Sequence, residues 1–518
     1  MIKNINQKLY YYLWPFLLGS ITSFSLPPYN FLFINFCTFP ALLFILIKIN
    51  KKQNSIWLNF KIGWSFGIGY FLSNIYWIIY SLTFEDIFKP FIPFALILIP
   101  SFLGLFYGVS TLIVSRFKLK INFSSILVFS LVFSVIEFFR GFVLGGFPWN
   151  LIVYSWTKYL NSLQILSLIG TYSFNLISIT IFLLPLLIIF KKNIRYKVSL
   201  LIFLLTILVC NNFYGSWKIK KNETLYREFE DFKIKIISPK ISIDRFFESN
   251  NEHIIIDELI ELSNPDISQR TIFIFPEGAL AGVNLDTLKN FKKKFSKKFS
   301  DKHTIIMGIN TYRKKDNSIK IYNSMVVLDH KLNLLHEYNK NKLVPFGEFL
   351  PFEKFLKKIG LKKISHGYQS FSSAKKRELI FIDNKNFNFV PLICYEIIYS
   401  GKITSKLNNT NFIINISEDG WFGNSIGPHQ HFSHSIFRAI EEGKNIIRSA
   451  NNGISAYIDS DGIVLNKLES TQKGVIEINN YKKLDKTFFS KFGNKIFFYF
   501  IFIYINLFFF IYKRKRRR

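Results

Sequence analysis

Three residues at the ends of apolar runs could together carry out nucleophilic thiol chemistry. They are Glu277 in Phe275-Pro276-Glu277-Gly278, Lys340 in Tyr338-Asn339-Lys340-Asn341-Lys342-Leu343, and Cys394 in Val390-Pro391-Leu392-Ile393-Cys394-Tyr395-Glu396. A cysteine that closes a buried strand and opens a turn is presented at a sheet edge, where nearby backbone N–H groups can face an oxyanion. The attacking species is the thiolate, and a free thiol is mostly protonated at neutral pH. A carboxylate such as Glu277 can take its proton. A lysine ammonium favours the thiolate and then the tetrahedral oxyanion. Singly, each signal is weak, because strand-end Glu and Lys are usually solvated and strand-end Cys usually inert. Lys342 competes with Lys340 for the cationic role. On spacing alone the three residues support a thiol acyltransferase or hydrolase and nothing finer.

The elements that must position them lie in a polar segment, 214–490. Candidate strands are 233–237, 271–275, 304–308, 320–328, 387–393, 411–416, 454–458 and 474–478, rich in Ile, Val and Phe and bounded by turn residues. Helical stretches at 280–299 and 434–447 fall between them, which predicts an α/β domain with a sheet covered by helices. The charge run 292–298 reads as a solvated helix face.

The flanking sequence is of another kind. The chain has 518 residues, 49% hydrophobic, with 60 Phe. Apolar stretches able to cross roughly 30 Å of hydrocarbon fall near 10–26, 30–48, 61–82, 90–114, 122–143, 163–190 and 197–213, and one more near 496–513. The expected organisation is a membrane domain of seven helices over 1–213, a catalytic domain over 214–490, and an eighth helix with a basic tail over 491–518. The first span is too long, and too soon followed by a second, for a cleaved signal peptide. Lys48, Lys51, Lys52, Arg116, Lys118, Lys120, Lys191, Lys192, Arg195 and the closing run from Lys513 to Arg518 fall on one side of such an arrangement. That side is then cytoplasmic and the polar domain extracytoplasmic. Lys218, Lys220 and Lys221 run against this, but long domains translocate largely regardless of charge.

The net charge of +32 invites a nucleic-acid reading. Lys is spread along the chain together with Phe, Ile and Asn, and no zinc spacing, RNA-binding signature or helix-turn-helix accompanies it; no nucleic-acid partner is expected. Cys37 and Cys210 sit in apolar runs and read as small hydrophobes, and three cysteines make no disulfide framework. His429, His431 and His434 cluster, yet no carboxylate or Cys completes a metal set at ligand spacing. No metal and no cofactor are expected. Glu137 and Arg140 lie within or near a span, where charge is costly and is expected to pair or face water.

Together these segments resemble the nitrilase superfamily, whose members use Glu, Lys and Cys in this chain order. Longer strings resemble the apolipoprotein N-acyltransferases within it: Leu343-Val344-Pro345-Phe346-Gly347-Glu348-Phe349-Leu350-Pro351, the run from Asp419 through Trp421 to His431, and Arg448-Ser449-Ala450-Asn451-Asn452-Gly453-Ile454. Leu26-Pro27-Pro28-Tyr29-Asn30, Glu137-Phe138-Phe139-Arg140-Gly141 and Gly146-Phe147-Pro148-Trp149 resemble that family's membrane motifs. The resemblance implies a multi-pass helical membrane domain with a nitrilase-like αββα sandwich. It implies Glu277, Lys340 and Cys394 as catalytic residues, Lys340 being chosen over Lys342 by the family register. Glu348, Tyr395, Glu396 and Trp421 are implied as positioning or loop residues. Phe247 stands where the family often has Trp and keeps an aromatic surface without the indole donor.

The implied reaction moves an acyl chain from a phospholipid, expected to be phosphatidylethanolamine, through a Cys thioester to the α-amine of a diacylglyceryl-cysteine apolipoprotein. It would take place at the bacterial inner membrane with the catalytic domain periplasmic. The rival readings are a membrane-tethered amidohydrolase and a non-enzymatic lipoprotein-binding scaffold; the long apolar half weighs against the first and the intact triad against the second. A reporter fused within 214–490 is expected to behave as extracytoplasmic, and labelling of an introduced surface Cys there from the cytoplasm contradicts the topology.

Overall fold

A computed structural model describes residues 2–52, 55–247, 251–315, 318–350, 370–382, 387–403 and 410–516. The chain divides into two compact units, 1–220 with 491–518, and 221–490.

The first unit is helical. Among the described residues five segments are long and apolar enough to cross a membrane: Leu32–Lys51, Asp86–Ser115, Phe123–Arg140, Leu166–Phe190 and Ile194–Leu225, with a shorter apolar helix at Lys495–Ile511. Phe94, Ile97, Leu98 and Phe203 are exposed, as side chains meeting lipid would be. Further helices at Ile2–Ser23 and Ile56–Ile75 pack by close backbone approach, since lipid offers little hydrophobic drive between helices. A Cβ on Gly19 would stand 1.9 Å from the Phe66 carbonyl oxygen, and one on Gly67 would stand 2.7 Å from Gly104 Cα. Glu137 and Arg140 are fully buried and paired, 3.7 Å apart, as intramembrane charge requires. Tyr107 and Asn175 donate to the Glu137 carboxylate at 2.9 and 2.5 Å. Arg140 donates to the carbonyls of Phe147 and Asn150 and so ties down the irregular segment after its helix.

The second unit is an αββα sandwich. Its strands are β1 (Tyr226–Glu228), β2 (Lys233–Ser238), β3 (Thr271–Ile274), β4 (His303–Lys315), β5 (Ser318–Asp329), β6 (Leu334–Asn339), β7 (Ile380–Ile382), β8 (Phe387–Ile393), β9 (Phe412–Glu418), β10 (Asn445–Asn451), β11 (Ser455–Ile458), β12 (Val464–Leu468), β13 (Gly474–Ile478) and β14 (Asn480–Lys482). One sheet runs β13-β2-β3-β4-β5-β6 and the other β12-β11-β10-β9-β8-β7; β1 and β14 form a separate pair. In each sheet three consecutive strands are parallel, β2-β3-β4 and β8-β9-β10. Parallel strands are covered on both faces and read as continuous apolar runs. Helix Glu252–Ser263 and the segment 285–299 cover the first sheet, packing Ile256, Leu259, Leu288 and Phe295 on Phe273, Met307 and Val326. Each such fully buried side chain contributes about 1.5–3 kcal/mol. The sheets meet directly, with Ser449 Oγ donating to the Ile237 carbonyl at 2.8 Å.

Two expected helices differ. The stretch 280–299 divides into Leu285–Leu288 and Lys292–Lys298, because Gly282 takes a positive φ and Asn284 begins a new capping box with Thr287. Phe295 faces inward there while Lys292, Lys293, Lys297 and Lys298 are exposed, which makes the charge run a solvated face. The expected helix 434–447 is replaced by Gly427–Glu442, ended by Gly443 in the left-handed conformation, and then by β10. The strand was hidden because Asn445, Arg448, Ser449 and Asn451 are polar although all are buried.

Candidate active site

Glu277 stands three residues beyond the end of β3, Lys340 directly follows β6, and Cys394 directly follows β8. Strands from both sheets thus bring the three residues to one place. Cys394 has φ +49°, a left-handed backbone that a side chain normally avoids. Such strain concentrates at functional positions.

Lys340 is almost wholly buried between two carboxylates. Its Nζ donates to Glu348 Oε1 at 2.8 Å and to Glu277 Oε1 at 3.2 Å. Burial pulls the ammonium toward neutrality, but Glu277, Glu348 and the nearby Cys394 sulfur outweigh it and hold Lys340 well above its ordinary value. Asn323 on β5 donates to both carboxylates, at 2.6 Å to Glu277 and 2.8 Å to Glu348. Glu277 also accepts the Glu418 backbone N–H at 3.0 Å, and Glu348 that of Val344 at 2.8 Å. Gly308 stands so close that a Cβ there would meet Glu277 Cα at 2.6 Å, so the neighbouring strand has room only for glycine.

The Cys394 thiol is pushed well up: burial comes first, then the Glu277 and Asp419 carboxylates, against which Lys340 and Ser417 act in the other direction. Lys340 thus acts in the expected direction, toward the thiolate, but burial and the carboxylates outweigh it. The ammonium is shared between two carboxylates, which limits its effect on the thiol.

Glu396 is a fully buried clamp. Its carboxylate accepts from Tyr338 Oη at 2.8 Å, Asn341 N at 3.0 Å, Lys342 N at 3.1 Å, Arg377 Nη2 at 3.0 Å and Ile393 N at 2.9 Å. One side chain thereby joins the turn carrying Lys340 to the turn carrying Cys394. Lys342 contributes its backbone to this clamp, whereas Lys340 contributes its side chain to the site.

Tyr395 is buried, edge-on to Tyr399. Trp421 is half-buried and tilts against Phe246, with ring centroids 5.4 Å apart. Phe246 fills the space beside Gly278, where a Cβ would meet its ring at 2.9 Å. Phe247, the aromatic singled out from the sequence, is half-buried next to it. Arg245 lies over the Phe246 ring at 4.4 Å and pairs with buried Glu418.

Asn323, Arg245 and Arg377 were missed. Asn323 carries a readable signal, an amide inside the expected strand 320–328, whereas Arg245 and Arg377 look like ordinary surface cations in sequence. Among the described residues Cys394, Asp419 and His431 bring possible metal-ligand atoms within 4.8 Å of one another. The Asp419 carboxylate is already matched by the Arg448 guanidinium at 2.8 Å, which holds it well below the usual carboxylate range against its burial, with His431 and Ser417 adding to the effect. A cation's place is thus taken by arginine.

The comparisons with known proteins agree with this architecture. Residues 18–184 match the apolipoprotein N-acyltransferase N-terminal domain, and residues 269–479 match the carbon-nitrogen hydrolase family. The apolipoprotein N-acyltransferase of Rickettsia typhi is 33% identical over 491 residues, covering 92% of this chain and 94% of the relative. That of Brucella melitensis is 28% identical over 474 residues, covering 89% and 88%. Among solved structures, a nitrilase-superfamily amidase from Nesterenkonia covers 52% of this chain and 95% of its own, at 11% identity and a TM-score of 0.35.

Removing the amide that serves both carboxylates is expected to slow acylation of Cys394. Hydrogen bonds to charged groups are worth about 1.5–3 kcal/mol, so Asn323→Ala should reduce the rate by about 10–100-fold, read by intact mass against time. A rate within twofold of wild type contradicts the shared role of Asn323. The sandwich domain, the apolar helical unit and the near full-length similarity lead to one conclusion: the chain belongs to the apolipoprotein N-acyltransferase family.

Proposed function

We propose that this acyltransferase moves the sn-1 chain of phosphatidylethanolamine onto the α-amine of diacylglyceryl-cysteine apolipoproteins, with Cys394 as nucleophile, Glu277 as general base and Lys340 as oxyanion stabiliser. One observation carries the assignment of roles: a thiol on a strained turn beside a carboxylate and an ammonium that share a buried hydrogen-bond network.

In the first half-reaction Glu277 takes the thiol proton as Sγ bonds to the ester carbonyl carbon. Negative charge gathers on the carbonyl oxygen, where the Lys340 ammonium stabilises it without reorganising. Collapse breaks the C–O bond, Glu277 returns the proton to the departing lysophospholipid alkoxide, and a thioester remains. In the second half-reaction the α-amine attacks the thioester and gives one proton to Glu277, the C–S bond breaks, and Glu277 passes that proton to the departing Cys394 thiolate, restoring both thiol and carboxylate. Glu348 holds Lys340 in place, Glu396 and Tyr395 shape the nucleophile turn, and Phe247 and Trp421 offer aromatic surface to the substrate.

The membrane unit suits substrates anchored by acyl chains, since drawing a chain into water costs about 0.8 kcal/mol per methylene. In the arrangement proposed here eight helices cross the inner membrane, both termini are cytoplasmic and the catalytic domain is periplasmic; the lysine- and arginine-rich loops support it.

Incubation of the enzyme with phosphatidylethanolamine and no acceptor is expected to add the mass of one acyl group to Cys394, removable by hydroxylamine. Addition of a diacylated lipopeptide should then discharge it as an acylated amine, and Cys394→Ser should reduce turnover to near zero. An adduct on Cys37 or Cys210, or full transfer by Cys394→Ser, overturns the thioester route; release of ammonia from small amides in place of lipopeptide acylation points to the amidohydrolase.

A further inference from the structure

The backbone carbonyl of Cys394 is held from two directions. His431 Nε2 lies 3.3 Å from it and Asn415 Nδ2 lies 3.5 Å from it. Arg448 joins these two side chains to each other: Nη1 donates to Asn415 Oδ1, and Nη2 lies 3.2 Å from His431 Nδ1. The result is a closed ring that starts and ends on one carbonyl oxygen. Asn415 and Arg448 are direct register partners on parallel strands β9 and β10, and His431 comes from helix Gly427–Glu442. Asp419 backs the ring, with Oδ2 2.8 Å from Arg448 Nη2 and Oδ1 2.9 Å from His431 Nδ1 and 2.6 Å from the Ser417 hydroxyl. Asn415, Asp419, His431 and Arg448 are all fully buried.

A carbonyl oxygen only accepts, so His431 and Asn415 must both donate to it. A proton on His431 Nε2 meets this requirement in either of two forms: the imidazolium, with Nδ1 donating to Asp419, or the neutral ring, with Nδ1 accepting from Arg448 while its lone pair also faces Asp419 Oδ1 at 2.9 Å. The other neutral tautomer would set two lone pairs against each other. Across a planar trans peptide, the C=O of one residue and the N–H of the next point in opposite directions. Drawing the Cys394 carbonyl toward the ring therefore turns the Tyr395 N–H away from the ring.

We propose that His431, Asn415 and Arg448 form a positioning ring that fixes the Cys394–Tyr395 peptide plane and so aims the Tyr395 N–H at the oxyanion formed when Cys394 attacks an ester. This rests on the acyl-enzyme reading given above. None of the three touches substrate; they act through the backbone of the nucleophile. The ring also accounts for the persistence of the left-handed φ at Cys394, since two donors anchor the peptide that follows it.

Two reactions of one thiol separate this role from a merely structural one. Acylation by phosphatidylethanolamine passes through a tetrahedral oxyanion. Alkylation by iodoacetamide forms the C–S bond as iodide leaves and makes no oxyanion. The full-length enzyme in mixed micelles is compared with His431→Ala, Asn415→Ala, the double variant and His431→Gln, which keeps a side-chain N–H donor. Acylation is followed by intact mass, and alkylation of Cys394 by peptide mass mapping. Loss of an oxyanion donor costs about 10²–10³-fold, so a mis-aimed one should slow acylation in each alanine variant by about 30-fold or more. Alkylation should stay within about threefold of wild type, within the span of ordinary local effects. The double variant should fall little below the worse single one, and His431→Gln should recover part of the loss. Alkylation that falls in parallel with acylation in both alanine variants, whether from misfolding or from a lost thiol environment, makes the ring structural and overturns the proposal. Acylation at the wild-type rate overturns it equally. Wild-type enzyme that never acylates on Cys394 defeats the acyl-enzyme reading itself, a result distinct from any outcome in the variants.

Discussion

The site depends on one buried ammonium. Lys340 is held by Glu348 at 2.8 Å and Glu277 at 3.2 Å, with almost no access to water. Removing the lysine would leave two carboxylates without their counter-charge in a low-dielectric interior, a change typically costing about 3–5 kcal/mol. The same balance dictates the chemistry. Burial first, and then the Glu277 and Asp419 carboxylates, push the neighbouring thiol up, and the Lys340 ammonium only partly offsets them. In the proposed mechanism Glu277 accepts the thiol proton, at which point the carboxylate is neutralised and Lys340 is freed to meet developing negative charge on the substrate.

The surrounding networks hold the three reactive groups in register. Asn323 ties the two carboxylates together, and Glu396 gathers donors from the Lys340 turn, the Cys394 strand end and Arg377. Both networks are largely buried, and partly satisfied polar networks are costly in a core. That cost explains why the second sheet carries strands such as β10, whose Arg448, Ser449 and Asn451 are all buried and all bonded.

The α/β character of 221–490 was legible because most of its parallel strands are plain apolar runs, as at 271–275 and 387–393. The strand-end positions of Glu277 and Cys394 were legible for the same reason, whereas Lys340 follows the mostly polar β6 and was distinguished from Lys342 by the family register. β10 was not legible: its first residues fell within the expected helix 434–447, because a strand with buried polar side chains lacks the apolar run that marks its neighbours. The clamp by Glu396 and the pairing of Asn323 with both carboxylates join residues 46 and 55 positions apart, such as Asn323 with Glu277 and Asn341 with Glu396, and no local pattern encodes those partners. The direction in which Cys394 is perturbed was also out of reach. Sequence shows a lysine near a cysteine, but only the three-dimensional arrangement shows that the lysine is already taken.

The most direct measurement is a difference titration of thiolate absorbance in the far ultraviolet, wild type minus Cys394→Ala, in the absence of lipid. The subtraction removes Cys37 and Cys210. The account predicts that Cys394 stays a thiol through neutral pH and ionises only well above the ordinary thiol value of about 8.5. It also predicts that Glu277→Gln, which removes a carboxylate from the site, moves the ionisation to lower pH. A Cys394 thiolate already present at neutral pH in the wild-type enzyme would contradict the account, because the proton that Glu277 is assigned to remove would not be there.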